Sequence, residues 1–155
     1  MLIGGNANAE SGPQVQATRS LVFPNTEEIL GWEIVDSGFK IVLSSKLTDL
    51  VRENILDEVD SFLATQQIDR SHIKHWIAHA GGPKVLETLE GALALPEGAL
   101  ARSWRSLQSV GNLSSASIMF ILDELLEDNE AAPGDYGLII GMGPGFSVEL
   151  VLLKW

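Results

Sequence analysis

The alternation of hydrophobic and polar positions along the chain predicts a fold in which strands and helices are mixed. Two β-rich runs, residues 32–36 and 39–43, flank Ser37-Gly38, which is typical of a β-hairpin closed by a two-residue turn. Residues 46–66 carry hydrophobic side chains three and four positions apart, and charged side chains fill the opposite positions. This pattern predicts a long first helix with one solvated face.

Shorter hydrophobic segments complete the pattern. They predict strands over residues 20–23, 73–78, 136–142 and 146–153, and helices over residues 83–93, 99–107 and 114–126. The last helix has little charge before Asp123, so we expect its first half to be deeply buried. Residues 1–3 resemble the end of a buried strand, and residues 6–16 a loop. The order of elements predicts a single α/β domain over residues 1–155, with helices layered on a mixed sheet.

Composition narrows the possible functions. The 155 residues are 45% hydrophobic and 20% charged, as in soluble globular domains, with no apolar run of the roughly 18–20 residues that span a bilayer. No secretory signal is evident, so we expect a cytoplasmic protein without a membrane span. The net charge of −11 argues against nucleic acid as a partner, and against this chain alone holding the phosphates of coenzyme A. The absence of cysteine excludes disulfides, thiolate metal sites and a cysteine nucleophile within these residues.

Three short boxes carry the candidate chemistry. His79 ends an apolar strand and precedes Ala80-Gly81-Gly82-Pro83, although a lone histidine is more often structural. Asn112 lies in Gly111-Asn112-Leu113-Ser114-Ser115, where an ordinary helix cap is the simpler interpretation. Residues 141–145 read Gly-Met-Gly-Pro-Gly, which alone indicates a tight turn. His72 and His75 lack a third ligand nearby, so no metal site is predicted.

Taken together, the three boxes resemble the C-terminal half of type III polyketide synthases, the chalcone synthase-like family of the thiolase superfamily. The resemblance covers almost the whole chain and is strongest over residues 76–83. It continues in the Asn112 box, in the following Phe120-Ile121-Leu122-Asp123-Glu124, and in the glycine box at 141–145. It implies one half of a thiolase-like fold, corresponding to the C-terminal domain of chalcone and stilbene synthases.

The resemblance also implies site residues and partners. His79 and Asn112 match the His and Asn of a Cys-His-Asn site for decarboxylative condensation of malonyl-CoA with an acyl-CoA starter. Ile41 falls near the position of a gatekeeping Phe in plant members. Positions matching coenzyme A or cavity contacts are Gly81, Gly82, Lys84, Ser114, Gly141, Gly143, Pro144 and Gly145. The implied partners are the CoA substrates, a Cys-bearing N-terminal half and a second subunit of a homodimer, with no cofactor.

Two alternatives remain open at this point. A ketoacyl-ACP synthase III would also have a Gly-Asn-x-Ser box, but its His is usually followed by Gln-Ala-Asn rather than Ala80-Gly81-Gly82. Pro144 also favours the polyketide branch. The lack of a cysteine equally permits a non-catalytic thiolase-like binding or assembly module. If the chain is catalytic, we expect it to be inactive without the Cys-bearing half.

Overall fold

A computed structural model describes residues 12–155 and contains six strands and four α-helices. In chain order they are β1 (Gln14–Val22), β2 (Leu30–Val35), β3 (Gly38–Leu43), α1 (Leu47–Thr65), β4 (Ile73–Ala78), α2 (Pro83–Ala92), α3 (Ala101–Val110), α4 (Ala116–Glu127), β5 (Tyr136–Gly143) and β6 (Ser147–Lys154). The strand predicted at residues 1–3 lies outside the described residues. Among the described helices, none combines the length and apolar character that crossing a membrane requires.

Four strands form a mixed sheet in the order β1-β6-β5-β4, and β2 and β3 form a separate hairpin. β4 and β5 run parallel, whereas β5–β6 and β1–β6 are antiparallel. Only the β4–β5 connection needs a long crossover, which α2, α3 and α4 supply. The mixed sheet with layered helices that the sequence predicts is confirmed.

Helices cover both faces of the sheet at β4. Because successive residues of a strand point to opposite sides, neighbouring residues of β4 belong to different cores. Trp76 and Ala78 belong to a core shared with α1 and α2, whose fully buried side chains include Phe62, Leu63, Leu86 and Leu89. Ile77 belongs to a second core with α4, formed with Ala80, Ile118, Ile121, Leu122, Leu125 and Leu153. Both cores meet at β4, so the strand that precedes His79 is held from two sides.

The free edge of β4 is closed by a side chain of α3. The buried Ser103 hydroxyl donates a hydrogen bond to the carbonyl of Ala78 at 2.9 Å and accepts one from the Ala78 N–H at 3.3 Å. An unpaired edge would expose these backbone groups or bury them without partners. Ser103 therefore fixes α3 against the last residue of β4.

Two local predictions about β1 and the hairpin were wrong. β1 begins at Gln14, so residues 14–16 are strand rather than loop. In the hairpin, Val35 pairs with Gly38, which moves the two-residue turn to Asp36-Ser37. Gly38 adopts a φ of +124° as the first residue of β3, a conformation that glycine tolerates.

The first half of α4 is not uniformly buried, contrary to the prediction. Ser117 and Ile118 are buried, but Met119 and Phe120 expose 42% and 52% of their surface. The prediction relied on composition, and no described element packs over these two side chains.

Gly137 in β5 permits a close contact with the last residue of the chain. A Cβ at this position would lie 2.7 Å from the Trp155 ring and 3.3 Å from the carbonyl of His75. The Trp155 ring packs on the His75 imidazole, with ring centroids 5.2 Å apart. The absence of a side chain at position 137 therefore lets the Trp155 ring pack against His75 of β4.

We expect Gly137→Ala to destabilise the chain by about 1–3 kcal/mol, because the added methyl group displaces the Trp155 ring. Urea unfolding of the isolated chain measures the loss. Gly91→Ala is the matched control, since a Cβ there meets open space within α2 and is expected to stabilise by about 0.5–1 kcal/mol. Equal effects of the two substitutions would contradict the proposed contact.

Candidate functional site

The parallel pairing of β4 and β5 brings the first and third sequence boxes together at the carboxyl ends of these strands, and we refer to this end of the sheet as the site edge, or simply this edge. Ala78 aligns with Ile140, and the His79 N–H donates to the Ile140 carbonyl at 2.8 Å. Gly141 follows Ile140 directly, so the glycine box begins beside His79. Carboxyl ends of parallel strands are where α/β proteins commonly place their sites.

The chain turns sharply after His79. The Gly81 N–H donates to the His79 carbonyl at 2.8 Å, which folds the backbone back over two residues. A Cβ at Gly81 would stand 3.3 Å from Cδ2 and 3.5 Å from Nε2 of the His79 ring. Because glycine has no Cβ, residue 81 does not crowd the His79 imidazole.

Asn112 lies in the loop between α3 and α4, and its side chain contacts the same turn. Its Nδ2 donates to the Gly81 carbonyl at 3.0 Å, and its Oδ1 accepts from the Ser114 N–H at 2.8 Å. The first contact links the two boxes across 31 residues, and the second organises the turn that leads into α4. Asn112 is thus both a turn residue and a tie between the boxes.

Residues on both sides of Asn112 have a positive φ. Gly111 ends α3 with a φ of +74°, and Ser114 has a φ of +57°. A non-glycine residue in this region carries a cost of about 1 kcal/mol, and such residues cluster at functional sites. The Leu113 N–H donates to the buried Ser117 hydroxyl at 2.9 Å, which holds the loop in place. The sequence places Ser117 in the small-residue stretch after Asn112 but does not predict this hydrogen bond.

The remaining predicted residues surround this edge. Gly82 precedes α2, Pro83 occupies its first turn, and Lys84 follows as an exposed residue. Pro144 is exposed in the turn between β5 and β6, beside Gly145, which has a φ of +78°. α2 and α4 both begin in the loops that Asn112 connects.

The turn at 143–145 contacts the hairpin. The Gly145 N–H donates to the Leu30 carbonyl at 2.7 Å, at the start of β2. A Cβ at Gly143 would lie 3.3 Å from Oγ of Ser147, so the turn is tightly closed. The glycine box therefore joins the sheet edge to the β2–β3 hairpin.

One face of the hairpin is hydrophobic and exposed. Ile41 pairs with Trp32 across the strands, and Phe39 meets the Trp32 ring edge-on at 6.3 Å. These residues share their face with Ile34 and Leu43, and all five are 53–79% exposed. The opposite face carries the Lys40–Glu33 ion pair at 3.3 Å. Trp32 therefore belongs to neither of the two cores.

Burial lowers the pKa of His79 below its usual value, because the half-buried imidazole loses hydration that stabilises its charged form. A neutral imidazole carries one N–H donor and one acceptor nitrogen. Within residues 12–155, no group of three or more His, Asp or Glu side chains is arranged to hold a metal ion. The arrangement therefore offers hydrogen-bond donors, His79 and Asn112, at an edge bordered by helix N-termini.

The chain is similar in sequence to proteins of one family. A family model described as the C-terminal domain of chalcone and stilbene synthases matches residues 14–155. The chain is 46% identical over 154 residues to the 1,3,6,8-tetrahydroxynaphthalene synthase of Streptomyces peucetius subsp. caesius, covering 98% of this chain and 41% of that protein. It thus spans less than half the length of this relative.

Solved structures agree. The crystal structure of the 1,3,6,8-tetrahydroxynaphthalene synthase of Streptomyces coelicolor A3(2), a bacterial type III polyketide synthase, superposes with a TM-score of 0.87 at 26% identity, covering 93% of this chain and 41% of that one. PKS-I of the brown alga Ectocarpus siliculosus gives a TM-score of 0.86 at 26% identity, covering 94% and 41%. The fold is therefore that of one part of these enzymes.

We expect Asn112→Asp and Asn112→Ala to separate the two roles of this side chain. The Asp variant keeps an acceptor for the Ser114 N–H but loses the donor to Gly81, whereas the Ala variant loses both. Each lost bond should cost about 0.5–1.5 kcal/mol, and Asp should release only the Gly81 turn. Amide hydrogen exchange at residues 79–82 and 113–117 tests this, and identical exchange patterns would refute separate roles.

We expect His79 to titrate below the value of about 6.5 found in unstructured peptides. Since its folded pKa is depressed, His79 favours folding above pH 6.5, and this contribution is lost as the pH falls below that value. NMR titration of the ring protons measures the pKa, and His79→Gln removes the corresponding pH dependence of stability. A midpoint above 6.5 would contradict the effect of burial.

Proposed function

Because the chain belongs to the chalcone and stilbene synthase family as its C-terminal domain, we propose that it supplies the His and Asn of a type III polyketide synthase site. His79 and Asn112 would serve the decarboxylative condensation of malonyl-CoA with an acyl-CoA starter. The observation that carries the proposal is the Asn112–Gly81 hydrogen bond of 3.0 Å, which holds Asn112 against the turn that follows His79.

The chemistry requires donors in this position. A cysteine thiolate takes the acyl group from the starter as a thioester, and coenzyme A leaves. Malonyl-CoA then loses CO₂, and the electrons of the broken C–C bond form the enolate of its thioester. Its carbon attacks the enzyme-bound acyl group and releases the thiolate. Preorganised N–H donors that face the developing oxyanions lower the barriers of such steps.

His79 and Asn112 are suited to this task. The lowered pKa of His79 keeps the imidazole neutral at pH 7 and able to donate one hydrogen bond. The Asn112 amide carries two hydrogens and gives one to Gly81, which leaves the second for an oxyanion. Neither side chain can replace the thiol as nucleophile, so the chain alone would not complete the condensation.

The other predicted residues would bind substrate. Gly81 and Gly82 allow close approach of a pantetheine chain, and Lys84 would offer at most a weak phosphate contact. Ser114 lies beside Asn112, where it would border the growing polyketide. With a net charge of −11, most phosphate contacts would come from the Cys-bearing half.

The third box and the hairpin would form a cavity wall. Gly141, Gly143, Pro144 and Gly145 lead from the His79 edge to Leu30, where the hairpin begins. The exposed face containing Ile41 continues from there and would contact apolar intermediates. The match to the chalcone and stilbene synthase model supports this branch over a ketoacyl-ACP synthase III.

A chimera tests the assignment. We define it as the Streptomyces peucetius relative with its matching C-terminal region replaced by this chain, so that the complete polypeptide contains a cysteine-bearing half. We expect the chimera to convert malonyl-CoA to polyketide, and His79→Ala to reduce kcat by about 10²–10³-fold or more, the usual effect of losing an oxyanion donor. Product formation is followed by mass spectrometry.

The matched control is His72→Ala, which removes an exposed histidine from the other end of β4 and should leave the rate unchanged. Near-normal product from the His79→Ala chimera would sink the assignment. A folded chimera without any product would instead favour the non-catalytic module.

A further inference from the structure

The peptide unit that joins Ala78 to His79 is held at both ends. Its carbonyl oxygen accepts a hydrogen bond from the Ser103 hydroxyl of α3 at 2.9 Å. Its N–H, which belongs to His79, donates to the Ile140 carbonyl of β5 at 2.8 Å. Because a peptide unit is planar, bonds at its two ends fix its orientation between β5 and α3. That orientation sets the φ angle of His79 and thus the direction of its Cα–Cβ bond.

Ser103 also contacts the preceding peptide unit. Its hydroxyl accepts from the Ala78 N–H at 3.3 Å, so one side chain bonds to both backbone groups of Ala78. A serine hydroxyl can donate one hydrogen bond and accept others at the same time. Because Ser103 is fully buried, removing this hydroxyl would leave both backbone groups without a partner at the end of β4.

The segment that carries Ser103 also holds the backbone on the far side of His79. Asn112 follows α3 by one short loop, and its Nδ2 donates to the Gly81 carbonyl at 3.0 Å. α3 and this loop therefore contact the backbone both before and after the imidazole. Since Ser103 and Asn112 belong to one continuous stretch of chain, a displacement of α3 would move both contacts together.

Side chains of α3 tie this helix to its neighbours on either side. Trp104 donates through Nε1 to Glu90 of α2 at 2.9 Å. Arg105 donates through Nε to Glu124 of α4 at 2.7 Å. α3 is therefore connected to both helices that begin beside the candidate site, and a site on loops attains its geometry from such rigid elements.

We propose that Ser103 is a positioning residue, which orients the His79 imidazole relative to the Asn112 amide through the Ala78–His79 peptide unit. This rests on the function proposed above, in which both side chains donate hydrogen bonds to developing oxyanions. Such donors act only when they are correctly placed, and a misplacement of about 1 Å can cost about 10²-fold in rate. Because Ser103 is fully buried, it does not contact substrate, and its effect falls on kcat rather than KM.

Two buried serines of α3 provide the test. Ser103→Ala removes the hydroxyl and introduces a better helix former. Ser106→Ala is the matched control, because Ser106 is also buried but its hydroxyl has no hydrogen-bond partner within residues 12–155. Ser103→Thr keeps a hydroxyl and is the conservative variant. Each variant is made in the isolated chain and in the chimera defined above.

In the isolated chain, NMR measures the position of the ring without turnover. A Cβ at Gly81 would lie 3.3 Å from Cδ2 of His79, so we expect a strong Overhauser contact between the Gly81 α-protons and the ring. Ser103→Ala should weaken this contact and speed amide exchange at Ala78 about tenfold, since the N–H loses its acceptor. Ser106→Ala and Ser103→Thr should leave both quantities unchanged.

In the chimera, steady-state kinetics measure the consequence for the reaction. We expect Ser103→Ala to lower kcat about tenfold or more while KM for malonyl-CoA stays unchanged, as for lost transition-state stabilisation. Ser106→Ala and Ser103→Thr should retain most of kcat. An unchanged ring contact together with unchanged kcat in Ser103→Ala would overturn the proposal. So would a raised KM at normal kcat, or equal losses of kcat in Ser103→Ala and Ser106→Ala.

A measurement on the unsubstituted chain covers a variant that fails to fold. The Ser103 hydroxyl proton should exchange slowly and show an Overhauser contact to the Ala78 amide proton, and the absence of this contact would refute the positioning role. The two proposals also fail separately. A folded chimera without product refutes the proposed function, while NMR of the isolated chain still decides whether Ser103 orients His79. An active chimera that is impaired by His79→Ala but not by Ser103→Ala refutes the role of Ser103 alone.

Discussion

The parallel pairing of β4 with β5 is the constraint on which the rest of the structure depends. It aligns Ala78 with Ile140 and places His79 beside the start of the glycine box, although 61 positions separate His79 from Ile140 in the sequence. A parallel pair requires a long crossover, and the three crossover helices carry the Asn112 box back to the same edge. One pairing thus gathers all three boxes.

The site is kept in shape by small contacts to the backbone rather than by contacts between the candidate side chains themselves. Ser103 closes the edge of β4 just before His79, and Asn112 holds the carbonyl of Gly81 just after it. Each interaction is worth about 1 kcal/mol. Together they fix the backbone on both sides of the imidazole, which is how a site located in loops attains a defined geometry.

The net charge of the chain limits what it can bind by itself. The chain has 21 acidic residues against 10 basic ones, so it is poorly suited to bind a polyphosphate by itself. Its candidate site instead offers the His79 imidazole, whose pKa burial lowers, and the Asn112 amide. The exposed hydrophobic face of the β2–β3 hairpin lies beyond the Gly145–Leu30 contact, in a chain that spans 41% of the length of these two relatives.

The sequence by itself determined the element types, most of their order and the identity of the candidate residues. Val51, Ile55 and Val59 show helical spacing and are almost completely buried, because an amphipathic helix packs its hydrophobic face against the core. His79 and Asn112 could be selected because three boxes in the right order are more specific than any one of them. Local patterns could not give the hairpin register, which shifted by one residue with the conformation of Gly38.

Only the tertiary structure decided how the boxes meet. The bond from Asn112 to Gly81 spans 31 residues, and no periodicity encodes a contact at that distance. The same holds for burial: the composition of α4 predicts an enclosed helix, but which side the sheet covers depends on packing, and Met119 and Phe120 remain outside it. Sequence patterns record the preferences of neighbouring residues, whereas site geometry and free surfaces arise from contacts between distant ones.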